Sequence, residues 1–243
     1  MYFLLLQGRE LFDLGKYDEA LICFDQGVGV TELYGIYPAQ GILYRWKARS
    51  LAYTGRSQEA LKILSELPAS PERNLFLSEV YFFTNEEVQA MGILDSIIFS
   101  RTEPMSQSGL DWTSGFALIE DLCLSKPGED GVLTFLIRGF RSFLYGRNGR
   151  GEEGVAEFQR LVSEKKVTES NPYIHHLHYW WSYIMPRNGL DQAAFHSTIL
   201  GKGLKDLQTR GSRILNRDDR YSYLQKSYWN AAYLGEGKKF KLV

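Results

Sequence analysis

The sequence predicts an all-α fold, a stack of about five helical hairpins followed by a C-terminal helix, which is an α-solenoid. Three observations carry that expectation. Glycine and proline punctuate the chain at short intervals, and the segments between them read as amphipathic helices. One hairpin pattern recurs, with Gly15 and Gly55, and likewise Ala20 and Ala60, 40 positions apart. At 243 residues, with 44% apolar and 23% charged side chains, the chain can bury a sizeable core as a single domain, 1–243.

In the first copy, Gly8–Gly27, Leu11, Phe12 and Leu14 form one apolar stripe. Gly15-Lys16-Tyr17 breaks it, and Ala20, Leu21 and Phe24 form the next. Two short helices joined by such a turn make a helical hairpin. A second copy, Tyr44–Leu67, has Ala48, Leu51 and Ala52 before Gly55, then Ala60, Leu61 and Leu64. The third runs from Pro71 to Ile98, with Ser70 as N-cap before a proline at the first helical position. Thr84 to Glu87 reads as a capping box for its second helix. The fourth, about Leu133–Val162, and the fifth, about Pro172–Ile199 with a break at Asn188-Gly189, precede a last helix at about Asp219–Leu234. Residues 99–132 fit no copy. They are either an irregular hairpin or a hinge between sub-arrays, and the lack of linker composition favours a continuous stack.

Leu14–Gly27, LGKYDEALICFDQG, resembles the tetratricopeptide repeat (TPR), with Gly8, Leu11, Gly15, Tyr17, Ala20 and Phe24 in that family's signature slots. The second copy matches at Ala48, Leu51, Gly55, Ala60 and Leu64, with Ser57 in place of the tyrosine. Later copies match in part: Asn85 replaces the break glycine and Gly154 the alanine. The resemblance implies a right-handed solenoid whose first helices line a concave groove. In that register the groove carries Arg9, Asp13, Arg45, Arg49, Tyr53, Glu79, Phe82 and Phe83, continued by His175 and His178. Arginine and tyrosine suit protein interfaces, and three arginines near one end suit an acidic segment of a partner protein. The expected function is thus a non-enzymatic protein–protein interaction scaffold. Arg45→Glu with Arg49→Glu is expected to abolish binding without unfolding the stack. Leu5, Arg9 and Trp46 stand where carboxylate-clamp members carry lysine or asparagine, so a chaperone-tail clamp is not expected.

The other function classes find little support. Net charge is −1, which gives no field for nucleic acid or an anionic membrane, and Lys238, Lys239 and Lys241 read as a solvated tail. No apolar run reaches membrane-spanning length. The apolar N-terminus lacks a signal peptide's cationic lead-in and cleavage site, making cytoplasm the default location, and the chain is expected to start inside a helix, as a piece of a longer protein would.

Gly149-Arg-Gly-Glu-Glu-Gly154 has the letters of a dinucleotide loop, but a helix precedes it and Glu152 and Glu153 would repel phosphates. His175 and His178 share a helix face, with His176 pointing elsewhere and His196 as a further candidate ligand. Surface or groove histidines fit better than a metal site, and no cofactor is expected. Cys23 and Cys123 read as buried small hydrophobes. The paired acids Glu86-Glu87, Glu120-Asp121 and Asp218-Asp219 project about 100° apart on a helix and do not converge on a reacting atom. A rival class is a helical-repeat receptor for a small molecule or lipid, with Trp112, Trp180, Trp181 and Trp229 lining an apolar pocket.

Overall fold

A computed structural model describes residues 1–99, 132–163, 174–184 and 196–242, and among these every regular element is helical. The first six helices are α1 (Tyr2–Asp13), α2 (Tyr17–Tyr34), α3 (Tyr37–Tyr53), α4 (Ser57–Glu66), α5 (Pro71–Phe83) and α6 (Glu87–Phe99). The next three are α7 (Val132–Arg147), α8 (Gly151–Ser163) and α9 (Ile174–Ile184). A π-helical turn, His196–Leu200, leads into α10 (Gly201–Ser212), then α11 (Arg217–Gln225) and α12 (Tyr228–Lys239). Cys123, Trp112, the break at 188–189 and residues 100–131 of the expected junction lie outside the described residues.

Among the described residues one turn divides four hairpins, and it also ends α2 at Gly35. Gly15, Gly55, Asn85 and Gly149 have φ of 75°, 84°, 63° and 78°, the left-handed region that glycine, and next to it asparagine, enters at least cost. After each, the next N–H bonds to the carbonyl five residues back: Lys16 to Leu11, Arg56 to Leu51, Glu86 to Tyr81 and Arg150 to Tyr145. This closes the preceding helix in a Schellman-type cap and reverses the chain. Five positions beyond each of these four stands a small buried residue, Ala20, Ala60, Ala90 or Gly154. At Gly154 a Cβ would lie 2.8 Å from the Ser142 carbonyl, which is why alanine is replaced there.

Local signals mostly hold at helix starts. Ser70 accepts from the Arg73 N–H at 3.1 Å, with Pro71 at the first position. Thr84 does not open a capping box. It ends α5, and its single hydroxyl hydrogen has two acceptors in reach, the Tyr81 carbonyl at 3.1 Å and the Glu86 carboxylate at 3.0 Å. The single helix expected at 219–234 is two, divided at Lys226-Ser227, and Asn216 caps α11 with bonds to the Asp218 and Asp219 N–H groups. The separate helix α10 was not foreseen.

Each hairpin packs against the next, and the first helices touch in series, α1 on α3, α3 on α5, α5 on α7 and α7 on α9. The core runs along this line through Phe24, Trp46, Phe76, Leu94, Phe140 and Leu177. The C-terminal helices then return to the N-terminal hairpin. Tyr228 N–H donates to the Tyr17 hydroxyl at 2.8 Å, and Lys16 pairs with Asp219 at 2.6 Å. Gly15 abuts the start of α12 so closely that a Cβ would lie 2.3 Å from the Ser227 nitrogen.

Gly15 and Gly55 therefore separate backbone strain from closure. Gly55→Ala, with open space around it, is expected to cost about 1–2 kcal/mol for the left-handed backbone alone. Gly15→Ala adds a clash with the closing helix and should cost at least about twice as much in urea denaturation. Equal losses would mean that the two ends of the array do not touch.

Candidate functional site

The arginines expected to face a partner are committed inside the chain. Arg49 Nε and Nη2 each lie 2.7 Å from a Glu79 carboxylate oxygen, and both residues are buried, at 6% and 5% exposure. Such a pair survives burial because it is bidentate and because its weakly hydrated guanidinium lies over Phe76 at 4.5 Å and Phe12 at 4.7 Å. Arg45 pairs with Glu72 at 2.7 Å, and Arg9 lies over the Trp46 indole at 4.9 Å. The same device joins later helices, Arg141 to Asp95, Arg147 to Glu87 and Arg138 to Glu157. These arginines hold neighbouring helices together. Arg49→Glu would set a second buried carboxylate against Glu79, so a test that leaves the stack folded is not available at that position.

The inner side of the array is covered by the chain itself. Trp229, on α12, is 4% exposed and sits among Phe82, Phe140, Phe143 and Trp180, with ring centroids 5.8, 5.9, 5.8 and 5.3 Å away. Burying an indole of about 200 Å² contributes on the order of 5 kcal/mol, before aromatic geometry is counted. Its Nε1–H donates to the Tyr53 hydroxyl at 3.1 Å, and Tyr53 donates to Glu79 at 3.2 Å. A single polar chain thus runs from α12 through α3 to α5. Phe82, expected on a groove surface, is part of this aromatic cluster, and Phe83 packs on Tyr53 and Tyr228. Trp181 stacks on Phe158 at 4.0 Å, away from that centre.

Beside Trp229 lies a cavity of about 240 Å³. Phe12, Asp13, Tyr17, Arg49 and Tyr53 border it from the N-terminal hairpins, and His175, His176, Arg210, Tyr223, Trp229 and Asn230 from α9–α12. Of the residues expected in a groove, Asp13, Arg49, Tyr53 and His175 meet here. Arg9, Arg45, Glu79, Phe82 and His178 do not line it. The histidine reading reverses in part. His175 and His176, with rings 4.5 Å apart, both reach the cavity, while His178 faces α10, where a Cβ on Gly203 would lie 2.7 Å from its own Cβ. The cavity wraps the first turn of α9, so neighbours 100° apart both border it. Arg210, Tyr223 and Asn230 were missed because no local motif marks them.

Burial governs the electrostatics. Desolvation, aided by the positive charge of Arg210, pushes His175 down to about 4, against the opposing pull of Asp206 and Asn230. His176 is held well below its usual value for the same first reason, with the His175 and Arg49 charges next. Desolvation pushes Tyr17 and Tyr223 up to about 12. Among the described residues no helix is long and apolar enough to cross a membrane.

A histidine whose folded pKa lies below its unfolded one makes the unfolded chain the better proton acceptor. The stability His175 contributes is complete above about pH 6.5 and falls as the pH drops toward 4. Urea midpoints measured from pH 7.5 to 5 should report a loss of about 2 kcal/mol from His175 alone, with His176 acting in the same direction. A flat profile over that range would place both rings in solvent.

Residues 121–241 match a family described as the C-terminal domain TP_0123_C, a match that spans α7–α12 and so contributes one wall of the cavity, while the other wall lies outside it. No curated protein and no solved structure matches the chain.

Proposed function

We propose that this chain is a non-enzymatic binding protein, a right-handed α-solenoid of TPR-like hairpins that holds a small molecule between its first hairpins and its C-terminal helices. The observation that carries the reading is the convergence of Phe12, Tyr53, Trp229 and His175, from elements far apart in sequence, on one cavity of about 240 Å³. That space corresponds to about eight waters, which suits a ligand smaller than a drug-sized molecule. The fourfold reuse of one left-handed turn and one small buried residue supports the TPR-like form. Binding is favoured over catalysis because the site's titratable rings stand far from a proton-transfer range near neutrality, His175 near 4 and the phenols of Tyr17 and Tyr223 near 12.

The alternative, a partner peptide in the concave groove, draws less support. The chain's own α12 lies against the first helices there, and Arg45 and Arg49 are paired internally. Native mass spectrometry of the full chain, purified gently from its natural source, separates the two readings. The small-molecule reading expects a stoichiometric mass increment that disappears on denaturation. A bare chain mass, with a protein subunit as the bound species, would return the groove reading to the front.

A further inference from the structure

A hairpin inside a helical array has both flanks covered by its neighbours, whereas an end hairpin stays soluble only if its outer surface is polar. The C-terminal helices follow that rule, since every exposed residue of α10 is polar: Lys202, Lys205, Gln208, Thr209 and Ser212. The first hairpin breaks it. Phe3 is 74% exposed, Leu33 77% and Tyr34 71%, and Tyr2 and Leu6 are each nearly half exposed.

The hairpin geometry brings these five residues to one end. Gly8 of α1 packs on the Phe24 ring of α2, where a Cβ would lie 2.5 Å from it. The two helices run antiparallel, so Phe3, five residues before Gly8, is level with Gly29, five after Phe24. Leu33 and Tyr34 lie about one turn beyond that level. The side chains of Tyr2 and Phe3 lean toward them, because a helical Cβ tilts toward the helix N-terminus. Among the described residues no charged side chain interrupts this surface. The first on α1 is Arg9, and Glu32 on α2 turns to α3, accepting from Gln40 at 3.2 Å and from Tyr44 at 3.5 Å. The exposed parts of the five side chains amount to about 600 Å², the upper end of what a monomer ordinarily leaves bare.

We propose that this surface is a dimer interface, with the first hairpin of a second copy packed on it about a two-fold axis. A two-fold interface sets one patch against itself, so a charged patch meets like charge and an uncharged apolar one is self-complementary. Two such surfaces in contact bury about 1,200 Å², the lower end of the range for stable complexes, which gives a dimer of micromolar affinity. The contact continues across the axis the helix-on-helix packing that builds the array. None of the five residues borders the cavity, so the inference stands apart from the small-molecule reading.

Sedimentation equilibrium of the full chain tests this. Wild type is expected to pass from monomer to dimer with a midpoint at about 1–50 µM. Phe3→Lys with Leu33→Lys should raise that midpoint at least about ten-fold. Both residues are exposed, so the urea midpoint of the pair variant should match wild type. Phe3→Glu with Leu33→Glu should act in the same way, and a mixture of the two variants should associate more tightly than either alone. A wild type that stays monomeric up to about 200 µM, beyond the weakest affinity this area allows, would overturn the second copy as occupant and leave the surface to another partner. A dimer unaffected by either pair of substitutions would place the interface elsewhere. A mixture no tighter than its components would overturn the face-to-face arrangement.

Discussion

The seat of the Trp229 indole is the contact on which the remaining architecture depends. A linear array of hairpins needs only neighbour contacts, and those alone would leave its inner face open to water. Here α12 returns across that face and places one large aromatic ring between α3, α5, α7 and α9. The indole N–H then ties the closure to a polar chain, Trp229 to Tyr53 to Glu79 to Arg49, which a purely apolar plug would lack. Closure turns neighbour-only packing into a structure whose first and last hairpins share contacts, and the cavity exists because those two surfaces meet without filling the space between them.

The buried Arg49–Glu79 pair is the costly member of that arrangement. Removing either partner from a buried pair costs about 3–5 kcal/mol, whereas replacing both with well-packed apolar groups is often neutral. What the pair supplies is registry. Arg45 and Arg49 are four apart on α3, and Glu72 and Glu79 are seven apart on α5, so both bonds form only when the two helices sit at one relative offset. A one-turn slip would bury a charge without its partner.

Much of the array was legible in the sequence because its signals are local. The left-handed turn residue and the small residue five positions later mark the first four hairpins, and Ser70-Pro71 marks a helix start. The closure was not legible, since Tyr17–Tyr228 and Tyr53–Trp229 lie 211 and 176 positions apart and leave no periodic trace. The groove arginines were read as facing a partner, whereas Arg45 and Arg49 pair with acids of the next hairpin. An arginine paired one repeat onward looks, in a single sequence, like a solvated one. A usable signal was present: acids stand 27 and 30 positions after Arg45 and Arg49, on the equivalent helix of the next hairpin. The histidines were placed by helical spacing alone, which assigns a face but not the shape of the cavity that face borders.

The central claim is that α12 closes the array through Trp229, and a double-mutant cycle between Tyr53→Phe and Trp229→Phe tests it most directly. If the indole N–H and the phenol oxygen meet in solution as they do here, urea denaturation of the four proteins should give a coupling energy of about 1 kcal/mol. A coupling indistinguishable from zero, with both single variants folded, would mean that the C-terminal helices do not lie across the inner face, and the cavity would have no second wall.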